Sequence, residues 1–222
     1  MPSLQEVNIM QWIFFDVGST LVDETEAYDH RAREMLEATH VTFEEFDAMR
    51  IILSKQGLDG NSAAIEHFGL TKTPWHTEDE RLFPDAAETL QYLKECGYRL
   101  GIIANQVAGL KERLDAWGIG LYFDVIASSA ELGVAKPALA IFEKAIHMAG
   151  CRAEDAYMVG DRVDNDILPA KAMGMKTVWI RKGLSTYQAS DAADYIIADL
   201  RELSSIFGGS MQHETDQRTG SE

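Results

Sequence analysis

Apolar residues run unbroken through Trp12-Ile13-Phe14-Phe15, stop at Asp16, and give way to Gly18-Ser19-Thr20. A short all-apolar run closed by turn formers predicts a parallel strand buried on both faces, with a carboxylate at its carboxyl end. The period then changes. Between Glu24 and Ala38, Ala27, Tyr28, Ala32, Met35 and Leu36 recur at helical spacing among charges. Thr42-Phe43-Glu44-Glu45 opens a second helix with the pattern of a capping box, running to about Lys55 and stopped before Gly57. Asn61 to Phe68 predicts a third, closed by Gly69. Thr71 to Glu80, interrupted by Pro74, is a connection or a short fourth helix. Residues 22–80 thus predict a helical block without strand signal.

Beyond that block strand and helix patterns alternate. Helices are expected over Pro84–Glu95, Leu110–Trp117, Pro137–Ala149, Asp164–Met173 and Leu200–Phe207, most of them stopped by a glycine. Strands are expected at Tyr98–Ala104, Tyr122–Ser128, Tyr157–Val159, Lys176–Ile180 and Tyr195–Ile197. This alternation predicts an α/β fold: a Rossmann-like, doubly wound, mostly parallel sheet with helices on both faces. The expected core is 1–21 with 81–207, the inserted helical block is 22–80, and the polar, aperiodic tail 208–222 is expected to be disordered.

The length of 222 residues suits one such domain with a modest insertion. A formal net charge of −16 argues against nucleic-acid or anionic-membrane binding, since both need a basic face. The two cysteines form no CxxC pair, which suits thiols in a reducing compartment. No basic, apolar leader and no long apolar run is seen, so a cytoplasmic protein is expected, as a monomer or homodimer.

In a doubly wound sheet the carboxyl ends of the strands open on one edge, where ligands bind. There the strands deliver Asp16, Asn105 and Asp161, with Asp166 five residues on and Lys136 before the helix that opens at Pro137. Each alone is explained as a turn, cap or surface residue; all five at one edge define a site. Crowded carboxylates need a divalent cation or raised pKa values to relieve their repulsion. Oxygen donors with no nearby His or Cys point to Mg2+. Such an ion with a lysine is equipment for neutralising a phosphoryl group while a carboxylate, Asp16, attacks phosphorus. No phosphate-binding glycine loop of the nucleotide-driven enzymes is present.

The segments Phe15-Asp16-Val17-Gly18-Ser19-Thr20-Leu21, Phe83-Pro84-Asp85-Ala86, Gly101–Asn105, Ala135-Lys136-Pro137 and Val159–Asp166 resemble, in order and spacing, the motifs of the haloacid dehalogenase-like hydrolase superfamily. The likeness is to the subfamily with a helical cap after the first motif. It implies a Mg2+-dependent phosphatase acting on a small phosphorylated metabolite through an aspartyl-phosphate. Asp16 is then nucleophile and metal ligand, the Gly18 carbonyl and Asp161 are further ligands, and Asp166 coordinates the ion or holds a metal-bound water. Lys136 bridges Asp16 and phosphate, with Asn105 and Ser19 on the substrate side.

Two departures stand out. The family's phosphatases usually carry an acid two residues after the nucleophile, where this chain has Gly18, and a phosphate-binding Ser/Thr where it has Ala104. Positioned acid–base catalysis is worth ~10²–10⁴-fold, and one hydrogen bond to a charged group about 1.5–3 kcal/mol. The absent acid makes Asp23, Glu24 and His30, just past the first motif, candidates for its replacement, although solvated helix residues are expected there. It also predicts that Gly18→Asp would raise activity on alkyl phosphates. A phosphonoacetaldehyde-hydrolase-like enzyme using Lys55 or Lys72, a metal-free haloacid dehalogenase, and a weakly active or non-catalytic binding protein are the alternatives.

Overall fold

The computed structural model describes residues 11–208, so the tail expected to be disordered lies, apart from Gly208, outside the described residues. The strands are β1 (Trp12–Phe15), β2 (Val22–Asp23), β3 (Arg81–Leu82), β4 (Arg99–Ala104), β5 (Phe123–Ser128), β6 (Ala156–Gly160), β7 (Lys176–Ile180) and β8 (Tyr195–Ile197). Between β2 and β3 stand α1 (Thr25–Leu36), α2 (Phe43–Lys55) and α3 (Gly60–His67). After β3 come α4 (Ala86–Glu95), α5 (Leu110–Ala116), α6 (Ser129–Leu132), α7 (Leu139–Ala149), α8 (Leu168–Ala172) and α9 (Leu203–Phe207).

Six strands form one sheet in the order β5-β4-β1-β6-β7-β8, every neighbouring pair parallel. The winding reverses at β1, which lies between β4 and β6, so a crevice opens at the carboxyl ends of these three strands. The apolar run of β1 suits that central place. Successive side chains point to opposite faces: Ile13 and Phe15 enter the core beneath α4, α5 and α9, while Trp12 and Phe14 enter the core beneath α7 and α8. All four are buried, as a strand covered on both sides requires.

The helices between β2 and β3 have their own core of Ala32, Met35, Leu36, Phe46, Ala64 and Ile65. Thr42 caps α2 in a full capping box: its side chain accepts from the Glu45 N–H at 3.2 Å and the Glu45 carboxylate accepts from the Thr42 N–H at 2.8 Å. Asp59 caps α3. Among the described residues no helix is long and apolar enough to cross a membrane.

Two local features differ from the sequence expectation, and at Thr71–Glu80 the connection is found, of the two forms expected. Val22–Asp23 and Arg81–Leu82 pair antiparallel as the stalk through which the chain leaves and re-enters the sheet, so the stretch expected to hold no strand contains β2. Two residues are too few to show a period. Thr71–Glu80 holds one 3-10 turn, Thr77–Asp79, in place of a fourth helix. The helix expected at Asp164–Met173 is divided into a wide π turn over Val163–Ile167 and α8, with Pro169 in the first turn of α8, where its missing N–H costs nothing.

Candidate active site

Asp16 ends β1, and the chain turns at once. The Val17 carbonyl accepts from the N–H groups of Thr20, Leu21 and Val22, and the Ser19 N–H donates to the Val22 carbonyl at 2.8 Å. Ser19 adopts a left-handed conformation (φ 53°) to make this fold-back. One strand over, Asp161 follows β6, and the wide turn returns Asp166 beneath it. A Cβ on Gly160 would lie 2.4 Å from Asp166 Oδ2, so the close approach requires glycine. The Arg162 N–H donates to that Oδ2 at 2.9 Å, and the buried Trp179 indole N–H donates to the Asp161 carbonyl at 2.7 Å.

Lys136 arrives from the loop between α6 and α7. Asn105, at the end of β4, holds it by its backbone: the Lys136 N–H donates to Asn105 Oδ1 at 2.7 Å, and Asn105 Nδ2 donates to the Lys136 carbonyl at 2.9 Å. The Lys136 ammonium, wholly buried, lies 2.7 Å from Asp16 Oδ1 and 2.6 Å from Asp166 Oδ1. Asn105 lines the cavity above but spends these two groups on placing the lysine.

Carboxylate oxygens of Asp16, Asp161 and Asp166 lie within 4.8 Å of one another, all three residues buried. Burial, then the neighbouring carboxylates of Asp166, Asp16 and Glu24, push the Asp161 carboxyl well above the usual range. Burial pushes Asp166 up to about 6 despite the opposing pull of Lys136. Burial draws the Lys136 pKa down, but Asp16 and Asp166 more than offset this and hold it above its usual value. One ammonium serves two of the three carboxylates, and the Asp161 carboxylate accepts no hydrogen bond among the described residues. A buried, all-oxygen, under-compensated donor set of this kind fits a small hard cation.

Glu24 completes the crowd. It stands at the N-cap of α1 yet makes no capping hydrogen bond. Its carboxylate turns instead into the space above Gly18. A Cβ built on Gly18 would lie 2.3 Å and 2.4 Å from the two carboxylate oxygens of Glu24, so the glycine's missing side chain is the room Glu24 occupies. Gln106 Nε2 donates to Glu24 Oε1 at 3.4 Å, Arg113 donates to Gln106 Oε1 at 2.8 Å, and Arg113 Nε lies 3.2 Å from the buried Glu80. The Trp75 indole N–H donates to Glu80 at 2.8 Å. Burial, with Asp16 and Glu80 as neighbours, pushes the Glu24 carboxyl up to about 8. The sequence names Glu24 as one of three candidates for the missing acid, beside the expectation of solvated helix residues, and its place at the start of α1 was the faint signal.

The other candidates fall elsewhere. Asp23 accepts from the Thr25 N–H at 2.9 Å, and His30 pairs with Asp79 at 2.7 Å. Lys55 lies near the Tyr187 ring, while Lys72 is exposed at the cavity rim. Arg162 lines the cavity and joins Asp164 at 2.7 Å to Asp59 of the helical block at 3.0 Å. Trp75 is also part of the cavity wall. That cavity, of about 560 Å³, is roofed by α1, α3 and Lys72–Trp75 and floored by the strand ends.

Comparison with known proteins agrees with this geometry. The chain is 33% identical over 224 residues to a glyceraldehyde 3-phosphate phosphatase of Methanocaldococcus jannaschii, spanning 89% of this chain and 97% of that protein. It is 32% identical over 123 residues to a phosphoserine phosphatase of Thermus thermophilus, spanning 55% of this chain and 49% of that one. In structure it is similar to a HAD phosphatase from Thermococcus onnurineus, with a TM-score of 0.65 at 25% identity, over 90% of this chain and 99% of the other. The model of the haloacid dehalogenase-like hydrolase family matches residues 13–180. With its winding, its motif order and three-quarters of its length in agreement, the chain belongs to the haloacid dehalogenase-like hydrolases.

Proposed function

We propose that the protein is a Mg2+-dependent phosphohydrolase of small phosphorylated metabolites, working through an aspartyl-phosphate on Asp16, with Glu24 in the place of the absent acid. The observation that carries this is the Lys136 ammonium between Asp16 and Asp166, with the uncompensated Asp161 carboxylate beside them. Asp16, the Gly18 carbonyl and Asp161, with Asp166 as ligand or holder of a bound water, are the residues that would take the ion, which when bound supplies charge neutralisation of the phosphoryl oxygens. The named phosphatases among the relatives support the same reaction class. Residues of about 22–80 serve as a cap, because α1 and α3 roof the cavity whose floor holds the reacting groups.

In the first half-reaction an Asp16 carboxylate oxygen bonds to phosphorus and the bond to the leaving oxygen breaks. The Glu24 carboxyl proton passes to that oxygen, and the alcohol departs. In the second, the Glu24 carboxylate takes a proton from water as its oxygen bonds to phosphorus. The acyl-phosphate bond breaks, and Asp16 and protonated Glu24 are restored. Lys136 holds Asp16 in place and neutralises charge throughout. Ala104 offers no hydroxyl; the Ser19 and Ser129 side chains also line the cavity.

The alternatives fit less well. A metal-free dehalogenase has no use for the Asp161–Asp166 pair. A Schiff-base mechanism needs a desolvated lysine, whereas Lys72 is exposed and Lys55 is not in the cavity. The test is release of p-nitrophenol from p-nitrophenyl phosphate, with and without Mg2+, by wild type and Asp16→Asn. Turnover that needs both the ion and Asp16 is expected; its absence on aryl and acyl phosphates alike identifies a non-catalytic binding protein.

A further inference from the structure

We infer that the cap side of the cavity is a subsite for a second anionic group on the substrate, a carboxylate or a second phosphate, held by Arg31. The inference rests on the phosphatase reading for the position of the reacting phosphate and adds what the rest of the substrate must carry.

One face of α1 builds this wall. Glu24, Tyr28, Arg31 and Met35 all line the cavity, and their spacing of four, three and four residues is that of a single helix face. Glu24 marks the floor, because it sits against Gly18. Arg31 stands two turns higher, about 10 Å along the helix axis. Helical side chains lean back toward the helix N-terminus, and on α1 that end carries Glu24 beside Gly18.

The charge pattern along that axis is lopsided. Asp16, Asp161, Asp166 and Glu24 crowd the floor around one ammonium, so any anion beyond the reacting phosphate is repelled there. At Arg31 the sign reverses. Arg162, the other arginine of the cavity wall, is satisfied by Asp59 and Asp164. Arg50 and Arg113, nearby, are likewise paired with carboxylates. Arg31 has no carboxylate partner among the described residues, and its Nε is buried without a hydrogen-bond acceptor. Its guanidinium lies 5.8 Å from the Trp75 ring centre, which braces the side chain but accepts no hydrogen bond. In a chain of net charge −16, an arginine of the cavity wall with no carboxylate partner among the described residues is suited to pair with a ligand's anion. Lys72 at the rim adds a second positive charge.

The test compares matched substrates: 3-phosphoglycerate against glycerol 3-phosphate for the carboxylate, and fructose 1,6-bisphosphate against fructose 6-phosphate for the second phosphate. Wild type is expected to favour the more anionic member of one pair by about ten- to a hundredfold in kcat/KM, the worth of one charge-assisted contact. The pair that shows it names the source of the anion. Arg31→Ala is expected to bring that ratio close to one, and Arg31→Lys to retain part of it. No preference in either pair, or an Arg31→Ala variant that slows both members equally, overturns the subsite. Calorimetric binding of the same four compounds to the Asp16→Asn variant reads the preference without turnover. A binding preference in a protein that hydrolyses nothing would sink the phosphatase reading and leave the subsite standing.

Discussion

In the proposed reaction Gly18 and Glu24 together fill the place that a single aspartate fills in phosphatases with an acid two residues after the nucleophile. Because the Glu24 carboxylate fills the space of a Gly18 side chain, Gly18→Asp does not add a free acid, as the sequence alone predicts; it drives Glu24 out of its pocket. Because the displaced group is the far end of a flexible side chain, the single variant is expected to lose little stability but the activity that depends on Glu24, and the double variant Gly18→Asp with Glu24→Ala to recover turnover of alkyl phosphates. Glu24→Gln is expected to lower kcat on alkyl phosphates by ~10²–10⁴-fold while sparing p-nitrophenyl phosphate, whose leaving group needs little proton. Stability should move the other way. A carboxyl raised from 4.5 to about 8 binds its proton more tightly in the folded state, so its contribution is complete below pH 4.5 and is lost as pH rises through about 8. At pH 8, Glu24→Gln should melt no lower than wild type in a thermal scan.

At the scale of elements, α1 joins the catalytic floor, the substrate wall and the returning linker. His30 and His76 stack at 3.9 Å between the carboxylates of Glu34, Glu78 and Asp79, fastening α1 to the linker before β3. Hydrogen bonds from His76 to Glu34 and Glu78 raise its pKa above 6.5. A raised histidine stabilises fully below the unfolded value of 6.5, and the gain is lost as pH rises through the folded one. Proteolysis within Thr71–Glu80 is thus expected to quicken as pH rises above 6.5 in wild type, and His76→Gln should flatten that dependence. Elements with a strong period were legible in the sequence: β1, α1, α2 and β7 fall within about two residues of expectation. The β2–β3 stalk was not, because its strands exist only through each other. The wide turn at Val163–Ile167 was not either, because its form is set by the contacts of Asp166 with Lys136, Arg162 and Gly160.

For the molecule as a whole, the floor crowds the carboxylates of Asp16, Asp161 and Asp166 around one ammonium, the place proposed for the ion. Mg2+ is expected to raise the melting temperature by mass action, and Asp161→Asn to abolish the shift. An ion held there would compete with the proton on Asp166, whose pKa is pushed up to about 6, so its apparent affinity is expected to weaken as pH falls below that value in a titration followed by calorimetry. Removing Lys136 would leave Asp16 and Asp166 buried without a counter-charge. Lys136→Met is expected to cost about 3–5 kcal/mol in chemical denaturation without the ion. By itself the sequence determined the winding of the sheet and the residues at its carboxyl edge. Apolar runs, glycine stops and strand-end carboxylates are local patterns, and the handedness of parallel crossovers does the rest. Only the tertiary structure decided which acid fills the space of Gly18, that Asn105 serves Lys136, and that Arg31 lines the cavity without a carboxylate partner. Each of those facts depends on side chains far apart in the chain meeting at one depth, and no spacing rule encodes that distance.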